Sequence, residues 1–269
     1  MRPRIIYTLS LPHSGSTFLQ YCLSSQPGVL GIGEVEQLSR LKGWRDPSLP
    51  CSCGQSLATC QLWSNLQPAS QEDNFDWYKR LRNSVAEHYP DFAYWVDSSK
   101  TWAGISPWLQ LKKDDLIEEL YILFLIRDVR GWALSDQNTR KRKNYSRRPL
   151  YGALREWYKT HQRFLQLLST HNIPYQVLSY EGLVFQNRKA LTRISSFLDI
   201  QPHYGPQAGV LGKNTVVHDV FGNRIKDDAV IRTQITYDDG WLYSKPINLL
   251  TMALFTVWSL NKKLHDLGI

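Results

Sequence analysis

Apolar and polar positions alternate between two patterns along this chain. Short apolar runs typical of buried strands are RIIYTLS (4–10), AYWVD (93–97), LYILFLI (120–126) and YQVLSY (175–180). Between them, apolar residues recur at helical spacing, for example over 150–168 and 191–198. Buried strands separated by helices are typical of a parallel sheet covered on both faces. We therefore predict an α/β fold with a central parallel sheet flanked by helices.

Length and composition indicate one large domain. The chain has 269 residues, of which 42% are hydrophobic, and this is enough for a large core. The stretch 42–76, rich in Pro, Ser, Gln and Cys, has no clear period. We interpret it as an insertion that could wall a substrate pocket, within a single domain over 1–269.

Membrane spans are not expected. The only long uncharged run, INLLTMALFTVWSL (247–260), is too short to cross a bilayer, and we predict a core helix that starts at Pro246. Because the first predicted strand begins at about Arg4, we expect no signal peptide or anchor before it. The expectation is a soluble, cytoplasmic protein.

The formal net charge of +8 is concentrated in one place. The stretch RKRKNYSRR (140–148) holds six basic residues and no acidic one. It is either a solvated helix end or a patch that binds an acidic substrate or cofactor phosphates. The sequence contains no helix-turn-helix spacing, zinc-finger spacing or aromatic RNA-binding motif, so nucleic acid is not an expected partner.

Three of the four cysteines lie in CSCGQSLATC, as Cys51, Cys53 and Cys60. A zinc site would need a fourth ligand, and none follows at normal spacing, although His88 or Cys22 could reach it in space. A disulfide is an alternative, and reduced thiols are the default in the cytoplasm. We predict no metal site.

The segment LPHSGSTFLQ (11–20) follows the first predicted strand and leads into a helical pattern. A strand, a loop of small residues and a helix N-terminus together direct backbone N–H groups at an anion. Gly15 allows a close approach, and the hydroxyls of Ser16 and Thr17 can donate. The lysine of a Walker A loop is absent, and His13 stands near its place.

A second candidate anion site is LFLIRDVRGWALS (123–135). A buried strand ends at Arg127, and Ser135 follows eight residues later in the next predicted helix. At the carboxyl end of a parallel strand, these two side chains could hold a second phosphate. The alternative is a structural ion pair of Arg127.

Together these motifs resemble the sulfotransferases that use 3′-phosphoadenosine-5′-phosphosulfate (PAPS). The first resembles their 5′-phosphosulfate loop and the second their 3′-phosphate motif. Further resemblances are WVDSSK (95–100), SYEGLVFQNRKALTRISSFLDI (179–200) and HDVFGNRIK (218–226). The five elements occur in the family order from residue 5 to about 226. They imply a P-loop-like fold, and the motifs are most similar to the carbohydrate and tyrosylprotein branch, here in a soluble, bacterial-style form.

The resemblance implies the nucleotide-binding residues. The 5′-phosphosulfate would be held by His13, Ser14, Gly15, Ser16 and Thr17. The 3′-phosphate would be held by Arg127 and Ser135, and Tyr180 would lie near the nucleoside. Arg224, in a looser match to the C-terminal loop, would also contact the nucleotide.

The resemblance also implies the catalytic residues. In GIGEVEQL (31–38), Glu34 is the expected general base, in preference to Glu36. The alternative is a carboxylate without function. Lys100 is expected near the sulfuryl oxygens, and protonated His13 near the bond that breaks.

The implied reaction is in-line transfer of a sulfuryl group from PAPS to a hydroxyl or amine, with no metal required. The expected acceptor is a small specialised metabolite, and the second candidate is a carbohydrate or glycolipid. Two competing functions are a P-loop nucleotide kinase, which the missing Gly-Lys-Ser/Thr disfavours, and a non-catalytic nucleotide-binding module. The sequence leaves the oligomeric state open.

Overall fold

A computed structural model describes residues 2–41, 46–203, 215–222 and 237–268. Its five strands are β1 (Arg4–Ser10), β2 (Val29–Gly33), β3 (Tyr94–Lys100), β4 (Glu119–Ile126) and β5 (Tyr175–Ser179). They form a parallel sheet of order β2-β3-β1-β4-β5, flanked by helices. The predicted α/β class is confirmed.

The helices of the described residues lie between the strands and after the last one. They are α1 (Ser16–Ser24), α2 (Val35–Arg40), α3 (Asn74–His88), α4 (Trp102–Lys113), α5 (Val129–Arg142), α6 (Leu150–Thr170), α7 (Tyr180–Phe185), α8 (Asn187–Leu198), α9 (Lys245–Ala253) and α10 (Phe255–Leu267). A short 3-10 turn covers Gly240–Tyr243.

Four strands lie where the apolar runs predict them, and β2 is an addition. Its sequence, VLGIG, contains two glycines, which weaken a strand pattern. All five residues are nevertheless buried, and β2 pairs with β3 from Val29 opposite Tyr94 to Gly33 opposite Asp97. This strand matters for function because Glu34 follows it directly.

The chain divides into two compact units. The first unit contains the described residues of Met1–Leu9, Ser16–Ile122 and Gln201–Gln234. The second unit contains those of Ser10–Gly15, Leu123–Ile200 and Ile235–Ile269. The single domain over 1–269 stays a prediction.

The first unit packs α1 against β2 and β3, and α3 against α4. Its largest fully buried side chains include Trp63, Trp77 and Trp108. Trp63 and the buried Leu57 belong to residues 46–73, which form turns rather than long helices or strands. This part of the expected insertion therefore contributes to a core of the unit.

The second unit packs α6 against α5 and α10, and α10 against β5. His161 of α6 is fully buried, and its ring centroid lies 4.1 Å from that of Trp157. Its Nδ1 hydrogen-bonds the carbonyl of Trp157 at 2.7 Å. Burial lowers the pKa of His161 to about 4, so it is a packed, neutral histidine.

The C-terminal apolar run differs from the expected core helix. It forms α9 and the start of α10, with a break at Leu254. Leu249, Met252 and Phe255 are exposed, so this part of the chain lies at the surface of its unit. Within the described ranges, no helix combines the length and apolar character needed to cross a membrane.

The basic run begins at the end of α5. Arg140 and Arg148 both form ion pairs with Asp136, at 3.0 and 3.5 Å. Residues 141–147 are exposed. Two of the six basic residues thus form a described ion pair, and a solvated helix end and a binding patch both stay open as interpretations.

Candidate functional site

Each group of candidate residues follows the carboxyl end of a strand, where open α/β sheets bind their ligands. The loop 11–15 follows β1, Glu34 follows β2, Lys100 ends β3, Arg127 follows β4 and Tyr180 follows β5. The strands therefore position these side chains, although they are far apart in sequence.

The loop after β1 has the backbone that an anion site requires. Gly15 has a φ of +92°, and a Cβ there would lie 2.4 Å from the ring of Tyr180. Only glycine fits without a shift of this ring. His13 also has a positive φ, of 69°. Ser14 is fully buried, and its hydroxyl has no hydrogen-bond partner among the described residues.

Ser16 and Thr17 begin α1 and are both buried. Their backbone N–H groups belong to the first turn of the helix, where donors have no partner within the helix. This arrangement is the one expected for an anion at a helix N-terminus.

Arg127 is 5% exposed and holds the loop in place. One guanidinium nitrogen donates to the carbonyl of His13 at 3.0 Å, and another to Asp238 at 3.1 Å. The guanidinium carbon lies 5.0 Å from the ring centroid of Tyr180. The ion pair that the sequence left as an alternative is thus present. However, the buried Nε has no acceptor among the described residues, so one strong donor stays uncompensated.

Ser135 lies in α5, the helix that follows Arg127 and contacts the same loop through Trp132. Trp132, one helical turn earlier, donates its indole N–H to the carbonyl of Pro12 at 2.8 Å. A Cβ added to Gly131, four residues before Ser135, would lie 3.2 Å from Nε of Arg127. Residues three and four apart share a helix face, so the half-buried Ser135 shares a face of α5 with Gly131 and Trp132. Its role as a phosphate ligand stays a prediction.

Tyr180 begins α7, which Ser179 caps by accepting a hydrogen bond from the N–H of Gly182 at 2.9 Å. Its ring stacks on that of Tyr237, with centroids 5.8 Å apart. Burial raises the pKa of Tyr180, so its hydroxyl stays protonated at neutral pH. The result is a flat aromatic surface beside Arg127.

Glu181 is a residue whose role the sequence analysis missed, although it lies in the SYEGL element. Its carboxylate accepts a hydrogen bond from the N–H of Asp128 at 3.2 Å, and from the hydroxyl of Tyr237 at 3.3 Å. Burial raises the pKa of Glu181. This contact fixes the turn between β4 and α5 that carries Arg127.

In the first unit, Glu34 forms a buried ion pair with Lys100. The side-chain amide of Gln37 donates to the other carboxylate oxygen of Glu34. Lys100 has a φ of 73°, an unusual value for a residue with a side chain. Strained backbone of this kind is most often found at functional positions.

The turn that leads to Lys100 is held by Asp97, whose role the sequence analysis also missed. Its carboxylate accepts hydrogen bonds from the N–H of Ser99 at 2.8 Å and from the indole of Trp108 at 2.7 Å. Burial raises the pKa of Asp97 to about 7. The cost of burying this carboxyl indicates a positioning role for the end of β3.

Glu36 differs from Glu34 in its partners. It forms an ion pair with Arg40, one turn along α2. Its backbone N–H donates to the hydroxyl of Ser99 at 2.9 Å. The structure therefore pairs Lys100 with Glu34 rather than with Glu36, and the choice of Glu34 as the base stays a prediction.

Six of the expected residues thus contact one another in two separate groups. His13, Gly15, Arg127 and Tyr180 are in contact in the second unit, and Glu34 pairs with Lys100 in the first. Arg224, expected from the C-terminal loop, lies outside the described residues. Its role stays a prediction.

Comparison with known proteins decides the family. The profile of the sulfotransferase family matches residues 3–203. The chain belongs to the sulfotransferase family. No curated protein sequence gives a match to it.

Two solved structures share the fold of this sulfotransferase. The sulfotransferase domain from the curacin biosynthetic pathway is 18% identical, with a TM-score of 0.53 over 94% of this chain and 97% of that one. The sulfotransferase domain from the Synechococcus PCC 7002 olefin synthase is 20% identical, with a TM-score of 0.54 over 91% and 89%.

The residues of this sulfotransferase fit an anionic nucleotide such as PAPS, the co-substrate that the family implies. Ser14 and Arg127 each present a buried donor that has no acceptor among the described residues. Gly15 has no Cβ that would displace the ring of Tyr180, so the loop lies directly against this aromatic ring. Buried donors without acceptors are costly, and phosphate or sulfate oxygens would satisfy them.

Proposed function

We propose that this sulfotransferase moves a sulfuryl group from PAPS to a hydroxyl or amine of a small-molecule acceptor. The observation that carries the proposal is the pair of unsatisfied buried donors, Ser14 Oγ and Arg127 Nε, beside a glycine that admits no side chain. Backbone and hydroxyl donors at a helix N-terminus bind anions even without a lysine.

In this proposal the loop and the end of β4 bind the nucleotide. Ser14, Gly15, Ser16 and Thr17 donate to the 5′-phosphosulfate. Arg127 and Ser135 bind the 3′-phosphate, for which Arg127 exchanges its ion pair with the half-exposed Asp238 for the phosphate oxygens. The aromatic face of Tyr180 lies next to the base or ribose.

PAPS supplies the sulfuryl group, and the chain supplies positioning, charge and a base. Glu34 accepts the proton of the acceptor hydroxyl or amine. Lys100, its ion-pair partner, provides positive charge for the sulfuryl oxygens. Protonated His13 provides it where charge develops on the leaving oxygen. As in phosphoryl transfer, most of the rate enhancement comes from placing these groups before the reaction.

A specialised metabolite is the proposed acceptor class. One of the structures with this fold is a domain of a biosynthetic pathway, that of curacin, and we extend a small biosynthetic acceptor to this chain. The cytoplasmic location also belongs to the proposal.

The test is a transfer assay with sulfuryl-labelled PAPS, run against hydroxylated and aminated small molecules and, in parallel, against sugars and glycolipids. We expect labelled small-molecule products and tight binding of the desulfated nucleotide by calorimetry. Labelling of sugars or glycolipids only would overturn the acceptor class. Binding of ATP but not of PAPS would indicate a kinase. Binding of PAPS without transfer to any acceptor would indicate a non-catalytic module.

A further inference from the structure

Four side chains of the first unit converge outside the proposed active site. They are Cys51, Cys53, Cys60 and His218, and their potential ligand atoms all lie within 4.8 Å of one another. The side chains of Cys51, Cys60 and His218 are buried. The fourth member is therefore His218. His88 and Cys22, which the sequence left open as possible fourth ligands of a site it did not predict, do not belong to the cluster.

The distances between these atoms are close to those between the corners of a tetrahedron around one ion. Sγ of Cys60 lies 3.7 Å from Sγ of Cys53 and 3.8 Å from Sγ of Cys51. Nδ1 of His218 lies 3.2 Å from Sγ of Cys60 and 3.9 Å from Sγ of Cys51. A Zn–S bond of about 2.3 Å and a Zn–N bond of about 2.0 Å place tetrahedral neighbours roughly 3.5–3.8 Å apart.

A disulfide explains this arrangement less well. The S–S bond is about 2.0 Å long and would use only two of the three sulfurs. It would also leave the imidazole of His218 without a function beside the third thiol. Three thiolates and one imidazole at tetrahedral spacing are the ligand set that selects zinc among the common divalent ions. We propose that Cys51, Cys53, Cys60 and His218 bind one structural Zn²⁺ ion.

Local hydrogen bonds bring the two ligand segments together. Between the first two cysteines, the hydroxyl of Ser52 donates to the carbonyl of Val217 at 2.7 Å and accepts from the N–H of Asp219 at 2.8 Å. The N–H of Ser52 donates to the carbonyl of Asp219 at 2.9 Å. These three bonds lie on both sides of His218 in the chain, so its backbone is fixed opposite the cysteines.

The turn after Cys53 includes a glycine with a left-handed backbone. Gly54 has a φ of +90°, and its N–H donates to the carbonyl of Cys51 at 3.0 Å. The N–H of Cys51 in turn donates to the carbonyl of Gln55 at 2.8 Å. This tight turn directs the first two sulfurs to the same point.

The proposed ion would stabilise β2, the strand that Glu34 directly follows. The segment with His218 continues the sheet at β2, since Gly31 donates to the carbonyl of Val216 at 3.0 Å and accepts from the N–H of His218 at 2.8 Å. With four protein ligands the site is closed to substrate, which is typical of structural zinc. The ion would thus join residues 51–60 to the edge of β2, and it takes no part in sulfuryl transfer.

Metal analysis of the purified, reduced full-length protein tests the proposal. We expect about one zinc per chain, and after exchange for Co²⁺ the absorption bands of a tetrahedral thiolate complex. Cys60→Ser and His218→Ala should each weaken zinc binding by more than the roughly 10–100-fold that loss of an outer-shell partner causes. His218→Cys, which supplies a fourth thiolate, should retain the ion. Cys22→Ser, a buried cysteine outside the cluster, is the matched control.

If the ligand variants fail to fold, the unaltered protein still decides the question. Chelation in the presence of a reductant should lower its thermal midpoint, and added zinc should restore it. Three results would overturn the proposal. The protein could bind no zinc after reconstitution, it could contain iron instead, or its mass as purified could show a disulfide between two of these cysteines. None of these measurements uses PAPS, so their outcome is independent of the proposed transfer reaction.

Discussion

The Arg127 cluster and the Glu34–Lys100 pair differ in how their buried charges are compensated. Around Arg127, one guanidinium donor and the hydroxyl of Ser14 have no acceptor among the described residues. Lys100 and Glu34 form an ion pair with each other, and Gln37 adds a hydrogen bond. The first arrangement favours an added anion, whereas the second is close to neutral as it stands.

This difference indicates how each cluster should respond to substitution. Removal of one partner of a buried ion pair leaves an uncompensated charge, which typically costs about 3–5 kcal/mol. Lys100→Ala would therefore mix a loss of catalysis with a loss of stability. Glu34→Gln keeps the shape of its side chain but also leaves Lys100 without its anionic partner, so the thermal midpoint of each variant is measured together with its activity.

The largest effect is expected at Glu34. Glu34→Gln keeps the shape and removes the base, so transfer should fall by about 10²–10⁴ while the affinity for the desulfated nucleotide changes little. Rates at saturating PAPS and nucleotide binding by calorimetry measure the two quantities. Glu36→Gln is the matched control, because Glu36 is also buried but pairs with Arg40. Equal losses in both variants would contradict the assignment of the base.

His13 should show the next largest effect. Loss of one donor to developing negative charge typically costs about 10²–10³ in turnover, and this is the expected result for His13→Ala. His13→Lys should restore much of the rate, although a positive φ adds some strain to any residue other than glycine, asparagine or aspartate. His13→Asn tolerates this backbone and lacks the charge, so it controls for strain. An asparagine variant as active as the lysine variant would show that charge at this position is not needed.

Arg127 should affect binding more than turnover. Loss of a charge-assisted hydrogen bond typically costs about 1.5–3 kcal/mol, or roughly ten- to a hundredfold in affinity. Arg127→Ala and Ser135→Ala should each weaken the binding of PAPS by this amount. They should weaken the binding of adenosine-5′-phosphosulfate, which lacks the 3′-phosphate, much less. Competition binding with the two nucleotides supplies the comparison within each variant. Equal losses for both nucleotides would place the 3′-phosphate elsewhere.

The fold was largely predictable because its strands are apolar and bounded by turn residues. β1, β3, β4 and β5 each contain a continuous apolar run, whereas β2 has glycines at two of its five positions and no such signal. For the same reason, the functional assignment of Glu34, directly after this strand, came only from the resemblance to a family and not from periodicity.

The contacts within the clusters were less predictable. His218 lies 158 residues after Cys60, and no spacing rule connects them, because the β2 edge brings them together only in the folded chain. The same holds for Asp238, whose pairing with Arg127 spans 111 residues. Glu181 and Asp97 each accept a hydrogen bond from a backbone N–H group, which carries no sequence signal of its own.

The smallest expected effect concerns the stability of the turn before Lys100. Burial raises the pKa of Asp97 to about 7, from an ordinary value of 3.8. Between these two pH values the folded chain therefore retains a proton on Asp97 that the unfolded chain has released. The stability that this proton contributes is complete below about pH 4 and is lost as the pH rises through about 7. Between about pH 6 and about pH 8 the loss amounts to about 1.4 kcal/mol, or roughly 3–6 °C in the thermal midpoint.

Asp97→Asn isolates this titration, because asparagine does not ionise. The side-chain amide nitrogen of this asparagine would face a second donor, either the N–H of Ser99 or the indole N–H of Trp108. The variant should therefore be less stable than the unaltered protein at low pH, and its own stability should not change with the titration of residue 97. The difference between the thermal midpoints of the unaltered protein and of Asp97→Asn should then become smaller as the pH rises from about 6 to about 8. A gap that stays constant between about pH 6 and about pH 8 would show that Asp97 is ionised throughout, and that its hydrogen bonds, rather than its burial, determine its charge.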